Sequence, residues 1–247
     1  MPVKIDVIIL SYAKNEELRA VTNQGIESLL ASEDPREIEF NILVIESNKN
    51  QPPYQYPNTT TIYPDTAFGY NKYMNIGIKG SHNPYVCLCN NDLIFHKGWA
   101  SAILKAMDND PLLLSASPYC PIFHKSRGFD ENGPVLEGYF GVLGGWCIFV
   151  KREVFNIIGP LDEQLIFWYC DADYCKTLEK YGVRNCLVPA SKVTHSGSES
   201  LSTVDDKEYQ KLTQVPRIYY SYKWNHHSFI KYIAQTMLFK IKNFIGL

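Results

Sequence analysis

Short apolar runs alternate with helix-like segments along the first 95 residues, and this alternation restricts the chain to few folds. The apolar runs predict buried strands at Val7–Leu10, Phe40–Ile45 and Tyr85–Cys89, with a shorter strand at Thr59–Tyr63. The segments between them predict helices at Glu16–Ser32 and Tyr70–Lys79. Such alternation predicts an α/β fold with a Rossmann-like, mostly parallel sheet flanked by helices. Ligands of these sheets bind beyond the carboxyl ends of the strands.

The second half of the sequence is less regular. It predicts a loop-rich stretch from 118 to 145. It predicts helices at Gly98–Asn109, Arg152–Ile158 and Asp171–Tyr181. It also predicts a strand at Trp146–Val150 and edge strands at Cys186–Pro189 and Val193–His195. A polar stretch at Ser202–Lys207 predicts a boundary between a body, residues 1–202, and a C-terminal helical and aromatic extension, residues 203–247.

Composition narrows the class of protein further. The formal net charge is -2 and the pI is near 6.3, so no global charge attracts nucleic acid or an anionic membrane. Seven cysteines without a CxxC pair predict reduced thiols. The sequence opens without a signal-peptide pattern and contains no uncharged run long enough to span a bilayer. We therefore expect a cytoplasmic protein, with peripheral contact to the inner membrane left open.

Polar residues follow the fourth predicted strand, at Asn90-Asn91-Asp92. A carboxylate and two amides at the mouth of a buried strand are costly to place unless they bind something. Mg²⁺ or Mn²⁺ carrying a sugar diphosphate would suit them, because these cations take some ligands from protein oxygens and the rest from phosphate and water. The same three residues are also typical of a β-turn, and both interpretations stay open on this motif alone.

Other polar side chains stand at comparable positions. Glu46 ends the second strand, at the same predicted edge of the sheet as Asp92. Asp171 begins a predicted helix, where it could equally cap the first turn, and His195 ends a strand, where it could be an ordinary surface histidine. Trp146 is as compatible with a core position as with a surface that stacks on a sugar.

Taken in order, these motifs resemble family-2 glycosyltransferases of the GT-A fold, in particular their rhamnosyltransferase-like members. The resemblance covers about Lys4–Leu201. It is carried by Val7–Tyr12, Glu46, Gly69–Ile78, Asn90–Asp92, Gly144–Cys147, Gly159–Glu163, Trp168–Cys175 and Val193–Ser198. It implies an inverting enzyme that moves a sugar from a nucleotide diphosphate donor, most simply a UDP-sugar, to a hydroxyl acceptor with the help of Mn²⁺ or Mg²⁺.

The resemblance also implies roles for single residues. Asp171 would be the catalytic base, while Asp92 and His195 would hold the metal. The donor would be bound by Ser11, Tyr12, Glu46, Asn71, Asn75, Asn90, Asn91, Gly144, Gly145 and Trp146. Two positions depart from the family pattern: Cys170 replaces the Glu before the base, and Asn90 replaces the first acid of the metal motif. These departures leave open a non-catalytic protein that binds nucleotide sugars or glycans with a degenerate site.

The C-terminal extension bears on the acceptor. No Asp or Glu occurs from Tyr209 to Leu247, and the segment from Ser228 onward predicts an amphipathic helix with lysines. One interpretation is contact with a membrane that carries a glycan or lipid-linked glycan acceptor. A second is contact with DNA that carries a hydroxymethylated base, through lysines and stacking aromatic residues. A third is packing on the body or on a second subunit in a homo-oligomer.

Overall fold

The computed structural model describes residues 1–197 and 205–245, with side chains described up to residue 241. The predicted boundary between residues 202 and 203 lies outside these ranges. So does Ser198, the last residue of the Val193–Ser198 motif. None of the helices in the described ranges combines the length and the apolar character needed to cross a membrane.

A single mixed sheet forms the centre of the molecule, with the strand order β3-β2-β1-β4-β8-β6-β9-β5 and with β7 paired to β9. Its strands are β1 Val3–Ser11, β2 Ile38–Glu46, β3 Thr60–Ile62, β4 Tyr85–Asn90, β5 Leu93–Phe95, β6 Leu113–Tyr119, β7 Leu136–Glu137, β8 Cys147–Lys151 and β9 Arg184–His195. Strands β1, β2, β3, β4, β6 and β9 run in one direction, and β5, β7 and β8 run against them. The expected α/β architecture is confirmed.

Helices cover both faces of this sheet. They are α1 Glu16–Ala31, α2 Tyr70–Lys79, α3 Trp99–Asn109, α4 Val154–Ile158, α5 Cys170–Tyr181, α6 Asp206–Trp224 and α7 Phe229–Ile245. One buried apolar cluster joins α1 and α3 to the sheet, and a second joins α2, α4 and α5 to it. The sheet is therefore buried on both faces, which explains why β1, β2 and β4 are continuous apolar runs in the sequence.

Two strands differ from the sequence-based expectation. No strand was predicted at β6, because its serines hide the apolar pattern; Ser115 is fully buried and bonds Asn185 Oδ1 at 2.8 Å. The two predicted edge strands at Cys186–Pro189 and Val193–His195 are one strand, β9, and it is not an edge strand. It pairs with β6 on one side and with β5 and β7 on the other.

All seven cysteines are buried free thiols. Three of them cluster in the core, with Sγ–Sγ distances of 3.3 Å between Cys87 and Cys89 and 3.6 Å between Cys87 and Cys147. Burial raises the pKa of Cys87 and of Cys147 well above the ordinary value. These two thiols are therefore neutral and pack as small apolar side chains.

Candidate active site

Asp92 lies in the tight turn between β4 and β5 and is 8% exposed. Strand β5 pairs with the end of β9, with Leu93 opposite His195, and this register brings the histidine to the carboxylate. His195 Nε2 lies 3.3 Å from Asp92 Oδ2. The backbone N–H of Ser196 donates to the Asp92 carbonyl at 3.2 Å and fixes the turn. The structure thus brings together the two residues predicted to hold a metal.

Trp146 completes a cluster with this pair. Its ring stacks on His195 with a centroid distance of 5.6 Å and an interplanar angle of 13°. Its carbonyl accepts a 2.9 Å hydrogen bond from the Asn90 N–H, which ties the start of β8 to the end of β4. Asn90 itself is half-buried at that strand end.

Three buried polar atoms of this cluster make no hydrogen bond among the described residues: Asp92 Oδ1, His195 Nε2 and Trp146 Nε1. The 3.3 Å approach of His195 Nε2 to Asp92 Oδ2 lacks hydrogen-bond geometry. A buried polar atom without a partner is destabilising by about 1–3 kcal/mol, so three of them side by side indicate a ligand. A carboxylate oxygen beside an imidazole nitrogen is a donor set that fits a divalent cation such as Mn²⁺. The residues present therefore fit the implied metal.

The glycine pair before Trp146 connects this cluster to Asp171. A Cβ on Gly145 would lie only 2.5 Å from the Cβ of Asp171, and a Cβ on Gly144 would lie 2.5 Å from the indole of Trp146. Tyr70 also donates its hydroxyl to the Gly145 carbonyl at 3.2 Å. The two glycines thus allow Asp171 and Trp146 to approach the same short segment of backbone.

Asp171 is exposed in the first turn of α5, where one carboxylate oxygen accepts the Ala172 N–H at 2.8 Å. The helix begins after Tyr169, a non-glycine residue at φ 68°. Such left-handed residues are strained and concentrate at functional sites. Cys170 points inward, and its Sγ donates to the Leu165 carbonyl at 3.4 Å. Burial, followed by the charges of Asp171 and Asp173, raises its pKa well above the ordinary value, so it remains a neutral thiol.

A second polar region lies at the ends of β1 and β2, where Ser11 and Glu46 are partners in register. Both side chains are buried and satisfied internally. Glu46 accepts the N–H groups of Ala13 at 3.1 Å and Asn48 at 2.8 Å, and the hydroxyl of Tyr56 at 3.1 Å. Burial raises the pKa of Tyr56 to about 12, so this hydroxyl stays protonated and donates.

A chain of hydrogen bonds joins this region to the turn between β4 and β5 that contains Asp92. The Tyr56 hydroxyl lies 3.2 Å from Ser11 Oγ, which lies 3.2 Å from Thr22 Oγ1. The Asn91 side-chain amide donates to the same Thr22 oxygen at 2.9 Å. Glu46 and the residue next to Asp92 are therefore two ends of one buried network.

A small pocket opens beside Glu46 and is also lined by Arg19, Asn48 and Tyr54. The Arg19 guanidinium lies over the Tyr54 ring at 4.6 Å, and its buried Nε has no hydrogen-bond partner among the described residues. Arg19 was not predicted from the sequence. It lies on the first helix, one residue after the buried Leu18, and no motif there indicates a binding residue. Tyr12 lies half-buried at the end of β1, next to this region.

Asn71 and Asn75, which the resemblance assigns to the donor, make internal hydrogen bonds in this structure. They are one turn apart on α2, and both point at the turn that precedes α5. Asn71 donates to the Asp162 carbonyl at 2.9 Å, and Asn75 exchanges hydrogen bonds with the Leu161 backbone at 2.9 and 3.0 Å. These amides therefore support the turn in this structure, and their contact with the donor stays a prediction.

The C-terminal extension is attached to the start of α5 by a partly buried ionic cluster. Lys223 of α6 lies 2.8 Å from Asp162 Oδ2 and 2.7 Å from Asp173 Oδ1. Tyr219 donates to Asp162 and the indole of Trp224 donates to Asp173, at 2.8 and 2.7 Å. Burial raises the pKa of Asp173 despite these partners. At Asp162 burial also acts upward, but the bonds from Lys223, the Gln164 N–H and Tyr219 outweigh it, and its pKa is lowered.

Solved structures with the same architecture are glycosyltransferases. GalNAc-T7, crystallised with UDP, GalNAc and Mn²⁺, aligns with a TM-score of 0.64 at 12% identity, over 97% of this chain and 54% of that one. The mannosyltransferase PcManGT from Pyrobaculum calidifontis, in complex with GDP-Man and Mn²⁺, gives 0.62 at 13% identity over 92% and 66%. S. aureus TarS gives 0.59 at 13% identity over 92% and 74%. The chain has the GT-A glycosyltransferase fold.

Sequence relatives point the same way. The dTDP-rhamnosyl transferase RfbF of Shigella flexneri is 33% identical over 85 residues, which cover 32% of this chain and 29% of that protein. An uncharacterized protein, y4gI of Sinorhizobium fredii, is 24% identical over 187 residues, which cover 66% of this chain and 21% of that protein. The chain thus spans less than a third of either relative. No protein-family profile matches it. The predicted resemblance to family-2 glycosyltransferases is confirmed at the level of the fold.

Proposed function

We propose that this protein is a metal-dependent, inverting glycosyltransferase that uses a nucleotide diphosphate sugar as donor. The observation that carries the proposal is the group of buried atoms without hydrogen-bond partners on Asp92, His195 and Trp146, together with the close approach of Asp171 to Gly145, the residue before Trp146. Relatives with this fold were crystallised with UDP or GDP-Man and Mn²⁺. A donor whose diphosphate is held by a cation would supply the missing partners.

The proposed reaction is one displacement at the anomeric carbon. The acceptor oxygen forms a bond to this carbon while the bond to the diphosphate oxygen breaks, and the electron pair leaves with the nucleoside diphosphate. Asp171 takes the proton of the acceptor hydroxyl. A Mn²⁺ or Mg²⁺ ion held by Asp92 and His195 would supply charge neutralisation for the leaving diphosphate. The ring of Trp146 keeps the imidazole of His195 in a fixed plane.

We propose that the nucleoside part of the donor binds at the mouth of the small pocket beside Glu46. The buried Nε of Arg19 has no hydrogen-bond partner there among the described residues, while Nη1 of the same guanidinium pairs with Glu16 at 2.6 Å, and Tyr54 lines the pocket. Because Glu46 is already saturated by internal bonds, we propose that it shapes this pocket rather than supplying its main contact. A UDP-sugar is the donor that we favour, and an assay with sugars of different nucleotides identifies the nucleobase.

The test is release of nucleoside diphosphate from a panel of UDP-, GDP- and dTDP-sugars with Mn²⁺ and with Mg²⁺. We expect turnover with at least one donor, and loss of that turnover when the metal is chelated. Asp92→Asn is expected to lower the rate about 10²-fold, as the loss of one charge-stabilising group does elsewhere. Asp108→Asn, which removes an exposed acid in the last turn of α3, is the matched control. Metal-independent turnover by Asp92→Asn at the wild-type rate would contradict the proposal.

The same assay distinguishes the alternative, a binding protein with a degenerate site. Cys170 and Asn90 favour this alternative, because they replace two acids of the family pattern. Cys170 points inward and is a neutral thiol. The presence of Cys instead of Glu at this position therefore leaves the Asp171 carboxylate in place. Saturable binding of a nucleotide without release from any donor of the panel would establish the binding protein.

Gly145 offers an independent test of the geometry. Gly145→Ala would place a methyl group 2.5 Å from the Cβ of Asp171, so the carboxylate has to move. We expect the turnover to fall about 10²-fold, the effect of misplacing a reacting group by about 1 Å. Gly69→Ala is the control, since its new methyl group meets only Lys72 Cβ at an ordinary 3.4 Å. Equal turnover of both variants, measured at saturating donor, would refute this placement of Asp171.

A further inference from the structure

Helix α7 carries a face of exposed apolar side chains. Phe229, Ile230, Met237, Leu238 and Ile241 are 54–80% exposed. At 3.6 residues per turn, Ile230, Met237 and Ile241 fall on one side of the helix. In an ordinary surface helix this side would be polar, and a contiguous exposed apolar surface marks an interaction site.

The opposite side of α7 is already occupied by α6. The ring of Tyr232 stacks on that of Tyr222 with a centroid distance of 4.8 Å and lies 6.2 Å from that of Tyr219. The third interpretation of the extension, packing on the body, therefore holds for α6, and one side of α7 packs on α6. It leaves the apolar side of α7 without a protein partner among the described residues.

The charged residues next to the apolar side of α7 indicate what kind of partner it binds. The segment from Tyr209 to Leu247 contains no acid, while Lys231 and Lys240 are exposed on α7. On the helical wheel Lys240 falls near one border of the apolar side and Lys231 near the other. An apolar face bordered by lysines matches a bilayer surface, where the apolar side chains enter the acyl boundary and the lysines meet anionic headgroups.

We infer that α7 lies in the interface of an anionic membrane and thereby directs the site toward a membrane-borne hydroxyl acceptor. The first part stands on α7 alone, and the second rests on the proposed function. The connection to the site is short: Tyr219 of α6 contacts α7 and also bonds Asp162, while Lys223 reaches Asp173, two residues after Asp171. The acceptor class that fits this arrangement is a lipid-linked glycan.

The test is co-sedimentation of the full chain with vesicles of phosphatidylcholine alone and with vesicles that also contain phosphatidylglycerol. We expect binding to the anionic vesicles that weakens as salt is raised. Ile230→Asp/Ile241→Asp is expected to reduce partitioning more than tenfold, because two apolar side chains no longer enter the bilayer. Lys231→Gln/Lys240→Gln is expected to reduce it more than tenfold on anionic vesicles only.

Leu112→Asp is the matched control, since Leu112 is 71% exposed but lies in the body between α3 and β6. It is expected to sediment as the wild type does. Release of nucleoside diphosphate from a soluble donor is measured on every variant, and it should stay unchanged, so that failure of the membrane proposal is separate from failure of the enzymatic one.

Three results would overturn the inference. The first is equal sedimentation of wild type and Ile230→Asp/Ile241→Asp with anionic vesicles. The second is a dimer in light scattering that this variant dissociates, without vesicle binding, since a second copy would then cover the face. The third is a gel shift with DNA that Lys231→Gln/Lys240→Gln abolishes, again without vesicle binding.

Discussion

Asp171→Asn is expected to lower kcat for sugar transfer by about 10²–10⁴-fold, the contribution of a positioned general base. The amide is isosteric with the carboxylate and can still accept the Ala172 N–H, so the start of α5 is preserved. It cannot take the proton of the acceptor hydroxyl. The measurement is steady-state transfer with saturating donor, alongside the dissociation constant of the nucleoside diphosphate, which we expect to remain unchanged.

The competing explanation is that Asp171 only stabilises the first turn of its helix. Asp206→Asn is the control for this, because Asp206 is an exposed acid in the first turn of α6. A capping role predicts similar small losses of stability in both variants and full transfer activity in both. Full activity of Asp171→Asn would remove Asp171 from the chemistry and, with it, the proposed mechanism.

Lys223→Met is expected to lower the free energy of unfolding by about 3 kcal/mol, because it leaves the partly buried carboxylate of Asp162 and the buried carboxylate of Asp173 without their cation. The size is at the low end for breaking a buried ion pair, since the Lys223 side chain is 26% exposed. Urea unfolding measures it. Lys176→Met removes the solvent-exposed Lys176–Glu179 pair on α5 and should change stability by less than about 1 kcal/mol.

A double variant separates charge from packing. In Lys223→Met/Asp173→Asn the buried negative charge is removed as well, so part of the lost stability should return. A loss that is the same in the double variant as in Lys223→Met would show that the lysine acts through its aliphatic contacts. Since Asp173 follows Asp171 by two residues, we also expect Lys223→Met to reduce turnover.

The strands and helices of the first half could be predicted because their information is local. Strands β1, β2 and β4 are continuous apolar runs, and α2 has the predicted limits, Tyr70–Lys79. Strand ends of one direction meet at one edge of a sheet, so the placement of Glu46 and Asp92 at a common edge followed from the pattern. The approach of Asp92 to His195 came from the resemblance.

The features that the sequence did not predict depend on contacts between residues that are distant in sequence. Strand β6 was missed because Ser115 is satisfied by Asn185, 70 residues away. The resemblance assigned Asn71 and Asn75 to the donor and gave no sign that their amides bond backbone about 90 residues further on. Helix α6 was missed because Pro216 lies inside it, and its attachment by Lys223 cannot be read from a local pattern.

The buried network between Glu46 and Asn91 limits how this scaffold can acquire a new donor preference. A shorter or apolar side chain at position 46 would leave two backbone amides in the interior without an acceptor and would remove one of the two partners of the Tyr56 hydroxyl. The disturbance would reach the turn of Asp92 through Ser11 and Thr22. Divergence of specificity is therefore expected to begin at positions outside this network, such as Arg19, whose side chain can change without unpairing buried neighbours. Laboratory evolution of the pocket would start there.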